Sequence, residues 1–301
     1  NSNWQQQATL ELIAENSIRA GPIDESFAIS GNPAEDVEIL AVAASLGLSP
    51  KGNFGGAGTV AINRIRNSVE ASLKDSTCTF TDNGQVSFTS RNNSNIFSIA
   101  GAIGGAKNIG IGAAVAYNEI GNKAYTFIKG STLNNPTNLS LITESSGTIK
   151  TLSLGASGAQ DVALAGSASV NTINNDASAY IKDSTVSVIN NITISSTGSA
   201  GIGSVAGGFA GAGKAAVGAA VAINNIGTAA DPNLIKAYIE NSQVTTTSGS
   251  LSLSSVSNSI IKSISAGGAG ADKCAIGGAV SVNNIVNEIE AYIINCPAGI
   301  T

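Results

Sequence analysis

The strongest constraint on this chain is internal repetition. One asparagine recurs in a shared frame: Val-Ala-Ile-Asn63-Arg-Ile, Val-Ala-Tyr-Asn118-Glu-Ile, Ala-Ser-Val-Asn171-Thr-Ile, Val-Ala-Ile-Asn224-Asn-Ile and Val-Ser-Val-Asn283-Asn-Ile. Successive asparagines lie 55, 53, 53 and 59 residues apart. A second motif follows eight positions later in four copies: Ala71-Ser-Leu-Lys-Asp-Ser76, Thr126-Phe-Ile-Lys-Gly-Ser131, Ala179-Tyr-Ile-Lys-Asp-Ser184 and Ala291-Tyr-Ile-Ile-Asn-Cys296. In the remaining copy the offset from Asn224 is 13, to Ala237-Tyr-Ile-Glu-Asn-Ser242. The five additional residues fall around Thr228-Ala-Ala-Asp-Pro-Asn233, a turn-rich insertion, and without them the last step becomes 54. Each unit also carries a short alternating segment (Val86-Ser-Phe88, Leu139-Ser-Leu141, Ile192-Thr-Ile194, Leu251-Ser-Leu253) and a Gly/Ala/Ser run.

Within each motif the period is two, the signature of a strand. Val60 and Ile62 share one face with their equivalents, and Ala61, Ala116, Ser169, Ala222 and Ser281 share the other. The segments are β-branched and separated by Gly, Asn, Asp and Ser, whereas helical repeats favour Leu, Glu and Lys. Near-identical strands at constant spacing are best satisfied by stacking on one another. The expected fold is therefore all-β, a parallel β-helix (β-solenoid) of about five 53–55-residue repeats, each making two or three coils. Large side chains are expected inside and small ones outside, with a bend at each Asn that returns the following Ile to the interior. Asn63, Asn118, Asn171, Asn224 and Asn283 then form a structural amide ladder. At ~4.8 Å per stacked strand the rod would be on the order of 50 to 80 Å long. The Gly/Ala runs suit a flattened section where backbones approach closely, and Lys51, Lys107, Gln160, Lys214 and Lys273 read as solvated turn residues.

Residues 1–57 fit the same plan as a degenerate leading repeat, with 58–301 as regular repeats of a single elongated domain. Leu10-Glu-Leu12 resembles the short segment and Ile39-Leu-Ala-Val42 the run; a short amphipathic helix around Ala8 to Arg19 is the alternative. Both ends read as cuts through something longer. The most apolar window, Ser204 to Ile223, is long enough for a membrane helix by count. Lys214 and the dominance of Gly and Ala make it two strands with a turn instead, so no membrane span is expected in this segment.

Charged residues make up 12% of the chain and the formal net charge is −5, with no basic cluster, which argues against a nucleic-acid partner. Histidine is absent, which removes Ser-His pairs and the commonest zinc ligand. The three cysteines, Cys78, Cys274 and Cys296, have no Cys-x-x-Cys spacing; buried or edge thiols fit them best, and a Cys274–Cys296 bridge is the alternative. The acids are scattered, and Asp75 is replaced by Gly130, Asn241 and Asn295 in other copies, which suits a turn and not a metal row. No catalytic, cofactor-binding or metal residues are expected.

The alternation of Gly-Ala-Ala-Val-Ala-x-Asn-x-Ile with Ala-Tyr-Ile-Lys-Asp-Ser, joined by Gly/Ala runs, resembles the repeat regions of large secreted bacterial exoproteins. These are the filamentous-haemagglutinin-like and leukotoxin-type adhesins and similar autotransporter passengers. The resemblance covers about residues 37 to 301. It implies a right-handed parallel β-helix, export across an outer membrane, and a non-enzymatic extracellular stalk or adhesin segment facing a host-cell or neighbouring-cell receptor. One alternative is a self-assembling filament or sheath subunit, motivated by a flat Ala/Ser outer face and uncapped repeats. Another is a polysaccharide-degrading β-helix enzyme.

Overall fold

The computed structural model describes residues 10–16, 38–80 and 84–296. Among them there is no helix, and every strand pairing is parallel. The strands form five stacked rungs. The first comprises β1 (Leu10–Asn16), β2 (Ile39–Ser49), β3 (Phe54–Lys74) and β4 (Thr77–Thr79). The second comprises β5 (Gln85–Ala106), β6 (Ile109–Lys129) and β7 (Thr132–Asn134), and the third β8 (Asn138–Ala159), β9 (Val162–Lys182) and β10 (Thr185–Val188). The fourth holds β11 (Ile192–Ala212), β12 (Ala215–Ile226), β13 (Asn233–Glu240) and β14 (Gln243–Thr246). The fifth holds β15 (Leu251–Ala271), β16 (Cys274–Ile285) and β17 (Asn287–Ile294). The all-β parallel solenoid expected from the repeat is what forms.

The coil count differs from expectation. Asn118 pairs with Asn171 and Leu139 with Ile192, each 53 residues on, so one repeat makes one coil and not two or three. The reason lies in the Asn motif. Asn118 sits inside a straight 21-residue strand, without a bend, and Ala116, Asn118 and Ile120 all point inward. Five rungs at ~4.8 Å give a stack of about 24 Å, shorter than the rod expected, while a 22-residue strand is about 70 Å long. The molecule is a wide, shallow slab.

In cross-section each coil is a wedge. At the thick end the short third sheet (β4, β7, β10, β14) props the two long sheets apart, and Phe88, Ile128, Leu133, Leu141, Ile181 and Ile194 fill the space. Toward the tip the contents shrink. In the second rung Phe88 and Ile128 give way to Ser90 and Thr126, whose hydroxyls are 2.7 Å apart. Then come Ser94 bonded to Asn122 at 2.9 Å, Ile96 with Ile120, Ala102 with Ala114, and finally glycines. At Gly104 a Cβ would lie 1.8 Å from the Ile111 carbonyl oxygen, so the two backbones touch there. A two-residue turn, Lys107-Asn108, then connects the sheets.

This taper reverses the expected sense of the alternation. Ala116, Ser169 and Ala222 are fully buried, whereas Val60 is 64% and Ile62 68% exposed. Large residues face outward here because the wing has no room for them inside. The Ala/Ser row expected on the outer face is therefore interior from Ala61 to Ala222, and only Ser281 in the last described rung is exposed. Lys51, Lys107, Gln160, Lys214 and Lys273 are exposed at the tip, as turn residues should be.

Residues 10–16 are a strand and not an amphipathic helix: Leu10 pairs with Val86 and Leu12 with Phe88. The Ser204–Ile223 window is the end of β11, the Gly213-Lys214 turn and the start of β12. Among the described residues no helix is long and apolar enough to cross a membrane.

Candidate functional site

The five repeat asparagines stand in one column. Asn63 Nδ2 donates to Asn118 Oδ1 at 2.8 Å, Asn118 to Asn171 at 2.8 Å, Asn171 to Asn224 at 2.8 Å and Asn224 to Asn283 at 2.9 Å. The second amide hydrogen goes to a hydroxyl of the facing sheet, from Asn63 to Ser98 at 3.1 Å and from Asn118 to Thr151 at 2.8 Å. Thr151 in turn donates to Asn171 Oδ1 at 2.7 Å. Asn118, Asn171 and Asn224 are completely buried, so these amides bond protein groups in place of solvent. The column holds the two sheets in register at the depth where the wedge narrows.

A second column was not read from the sequence. Asn67, Asn122, Asn175, Asn233 and Asn287 lie on the other side of the isoleucine row Ile65, Ile120, Ile173, Ile226 and Ile285. Asn233 Nδ2 donates to Asn287 Oδ1 at 2.8 Å, Asn122 Nδ2 to the Ser146 carbonyl at 2.8 Å, and Asn233 Oδ1 accepts the Asn175 backbone N–H at 3.0 Å. The available signal was Asn-x-Ile-x-Asn, obscured in the fourth copy where the insertion separates Ile226 from Asn233. That insertion leaves the sheet between β12 and β13 and returns at Asn233 in register.

The true bend lies in the second motif. Asp75, Asp183, Asn241 and Asn295 have φ between 45° and 51°, and Gly130 has φ 60°. Only Gly, Asn and Asp enter this left-handed region routinely. Asp75 and Asp183 are thus corner residues.

The outer face of the β3–β6–β9–β13–β17 sheet carries charges and aromatics near the thick end. Phe127, Tyr180, Tyr238 and Tyr292 stack with centroids 4.6, 4.8 and 5.0 Å apart. Burial, with the nearby Glu70 and Asp176 charges, pushes the Tyr180 phenol up to about 12. Glu119 accepts from Arg64 at 3.0 Å, from Arg66 at 2.7 Å and from Tyr117 at 3.0 Å. Burial pushes its carboxyl up, but the hydrogen bonds from Arg66, Tyr117 and Arg64 together hold it below the usual range. Glu144 pairs with Arg91, Glu240 with Lys182, Asp161 with Lys214, and both Glu288 and Glu290 with Lys236. These carboxylates are therefore placed against cations, mostly of the adjacent rung, rather than against one another as an acid–base pair. Among the described residues no group of three or more Cys, Asp or Glu could hold a metal ion, and the three cysteines are free. A shallow depression lined by Glu240, Glu290 and Tyr292 lies at the edge of the last rung among the described residues.

Compared with protein-family models, with curated proteins and with solved structures, the chain matches none.

Proposed function

We propose that this chain is a non-enzymatic, extracellular β-solenoid segment of a large secreted bacterial surface protein, serving as a stalk that carries an adhesive region elsewhere. The observation that supports this most is the unbroken one-coil register, 53 residues from β5 to β8 and from β8 to β11 and 59 from β11 to β15, in which inward side chains such as Ile96, Ile149, Ile202 and Ile261 stack on like ones. Such a stack lengthens by adding identical rungs, since each contacts chiefly its neighbours. The interior repeated from rung to rung is occupied by packing and amide bonds, and Glu119, Glu144, Asp161, Glu240, Glu288 and Glu290 are held in ion pairs. Both suit a rigid spacer better than a cleft for chemistry. The resemblance of the repeat to secreted exoproteins supplies the location and the receptor-facing role. Antibodies against this segment should label intact source cells and their surface fibres. Labelling that requires permeabilised cells would overturn the proposal.

A further inference from the structure

We infer that the apolar outer face of the wing in the β3–β6–β9–β12–β16 sheet is the site where a second copy of this chain docks, sheet against sheet. The strand register lines up an uninterrupted apolar face. Across the five rungs, the five outward positions from Phe54 to Ile62 and their equivalents give 25 sites, and each is Gly, Ala, Val, Leu, Ile, Phe, Tyr or Cys. None is charged. The next column, which starts with Arg64 and Glu119, bounds the patch on one side, and the exposed tip lysines bound it on the other.

The size is that of an interface. Five rungs at ~4.8 Å and nine residues at ~3.3 Å give a face of roughly 700 Å². The largest apolar patch on a typical monomer is about 300–600 Å², and a standard complex buries about 800 Å² per partner. Val60 at 64% and Val280 at 54% exposure show that nothing in the described chain covers it.

The shape favours a copy of itself. The middle column, Gly58, Ala113, Gly166, Ala219 and Gly278, is a groove of small residues. The column Val60, Val115, Ala168, Val221 and Val280 beside it is mostly a ridge of valines. A two-fold partner sets its ridge into this groove, and two twisted sheets pack in this way about 10 Å apart. Lipid fits less well, since tip-first insertion would carry Lys51, Lys107, Lys214 and Lys273 into hydrocarbon.

Sedimentation equilibrium of the whole chain over a concentration series tests it. A reversible dimer is expected. Val115→Lys with Val221→Lys should weaken association by about 100-fold or more, with circular dichroism unchanged. Val205→Lys, on the opposite sheet, should leave the dimer intact. If the double variant folds poorly, Gly166→Leu, which fills the groove from outside, should give the same loss. A chain that is monomeric at every concentration overturns the inference. So does a dimer lost on Val205→Lys but kept in the groove and ridge variants. Monomers that float with phosphatidylcholine–phosphatidylglycerol vesicles also overturn it, in favour of a lipid surface.

Discussion

Gly155 and Gly166 face each other across the wing so closely that a Cβ on Gly155 would lie 2.0 Å from the Gly166 carbonyl oxygen. Gly155→Ala must push the sheets apart or bend a strand, at about 1–3 kcal/mol or more. Gly158, three residues on, has nothing within 4 Å of its notional Cβ. Gly158→Ala should be neutral or stabilising by up to about 1 kcal/mol through the unfolded state. Urea denaturation of the two variants checks this. Equal effects would mean that the wing is not packed backbone to backbone.

The Asn column has a direction, each amide donating to the next rung. Asn171→Ala would orphan the Asn118 donor and the Asn224 acceptor, at about 1–3 kcal/mol for each buried group. Asn171→Asp keeps an acceptor for Asn118 and Thr151 but sets a carboxylate against the Asn224 oxygen. Burial and that contact raise the new carboxyl above its unfolded value of about 3.9. Its stability contribution is then full below that value and lost as pH rises through the folded pKa. Stability of Asn171→Asp relative to the parent should therefore improve on acidification. A pH-independent difference would show that the ladder is not directional.

At Asp183, where φ is 51°, Gly should be tolerated, since Gly130 fills the same column naturally. Asp183→Val should cost about 1–2 kcal/mol for the left-handed backbone. Thermal unfolding of the pair measures the difference, and identical melting points would remove the corner from this position.

Deleting residues 228–232 would join Gly227 to Asn233 and recreate the Ile120-Gly121-Asn122 sequence of the second rung. The deletion should leave the fold intact and the melting temperature unchanged or higher, because loop closure becomes less costly. Loss of cooperative unfolding would show that the loop is part of the core.

The tyrosine ladder sets an alkaline limit. Burial is the leading cause that raises the Tyr180, Tyr238 and Tyr125 phenols, and Asp176 adds a hydrogen bond at Tyr125. A raised phenol stabilises the fold fully below the ordinary value of 10.0 and loses that contribution as pH climbs toward about 12 at Tyr180. Tyrosinate absorbance should lag behind that of a denatured control and rise together with unfolding. Ionisation of Tyr180 or Tyr238, read as the absorbance lost in the Tyr180→Phe or Tyr238→Phe variant, near 10 in a chain still folded would contradict the stacking.

The sequence by itself determined the parallel stack, because a 53-residue repeat of period-two motifs has few other ways to satisfy its backbone. It also marked Asp75, Gly130, Asp183, Asn241 and Asn295 as one turn column, since residues that share tolerance of a left-handed backbone replace one another there. It could not decide which face of the Asn strand is interior. Alternation says only that two faces differ, and hydrophobicity favours Val and Ile inside. Tertiary structure reversed that choice, because the wing sheets approach until only Gly, Ala and small polar residues such as Ser, Thr and Asn fit between them. The distance between two sheets is a property of the whole coil, set by the prop of Leu133 and its equivalents at one end and the two-residue turn at the other. For the same reason Asn118 lies mid-strand, one repeat makes one coil, and a broad apolar face is left on the outside.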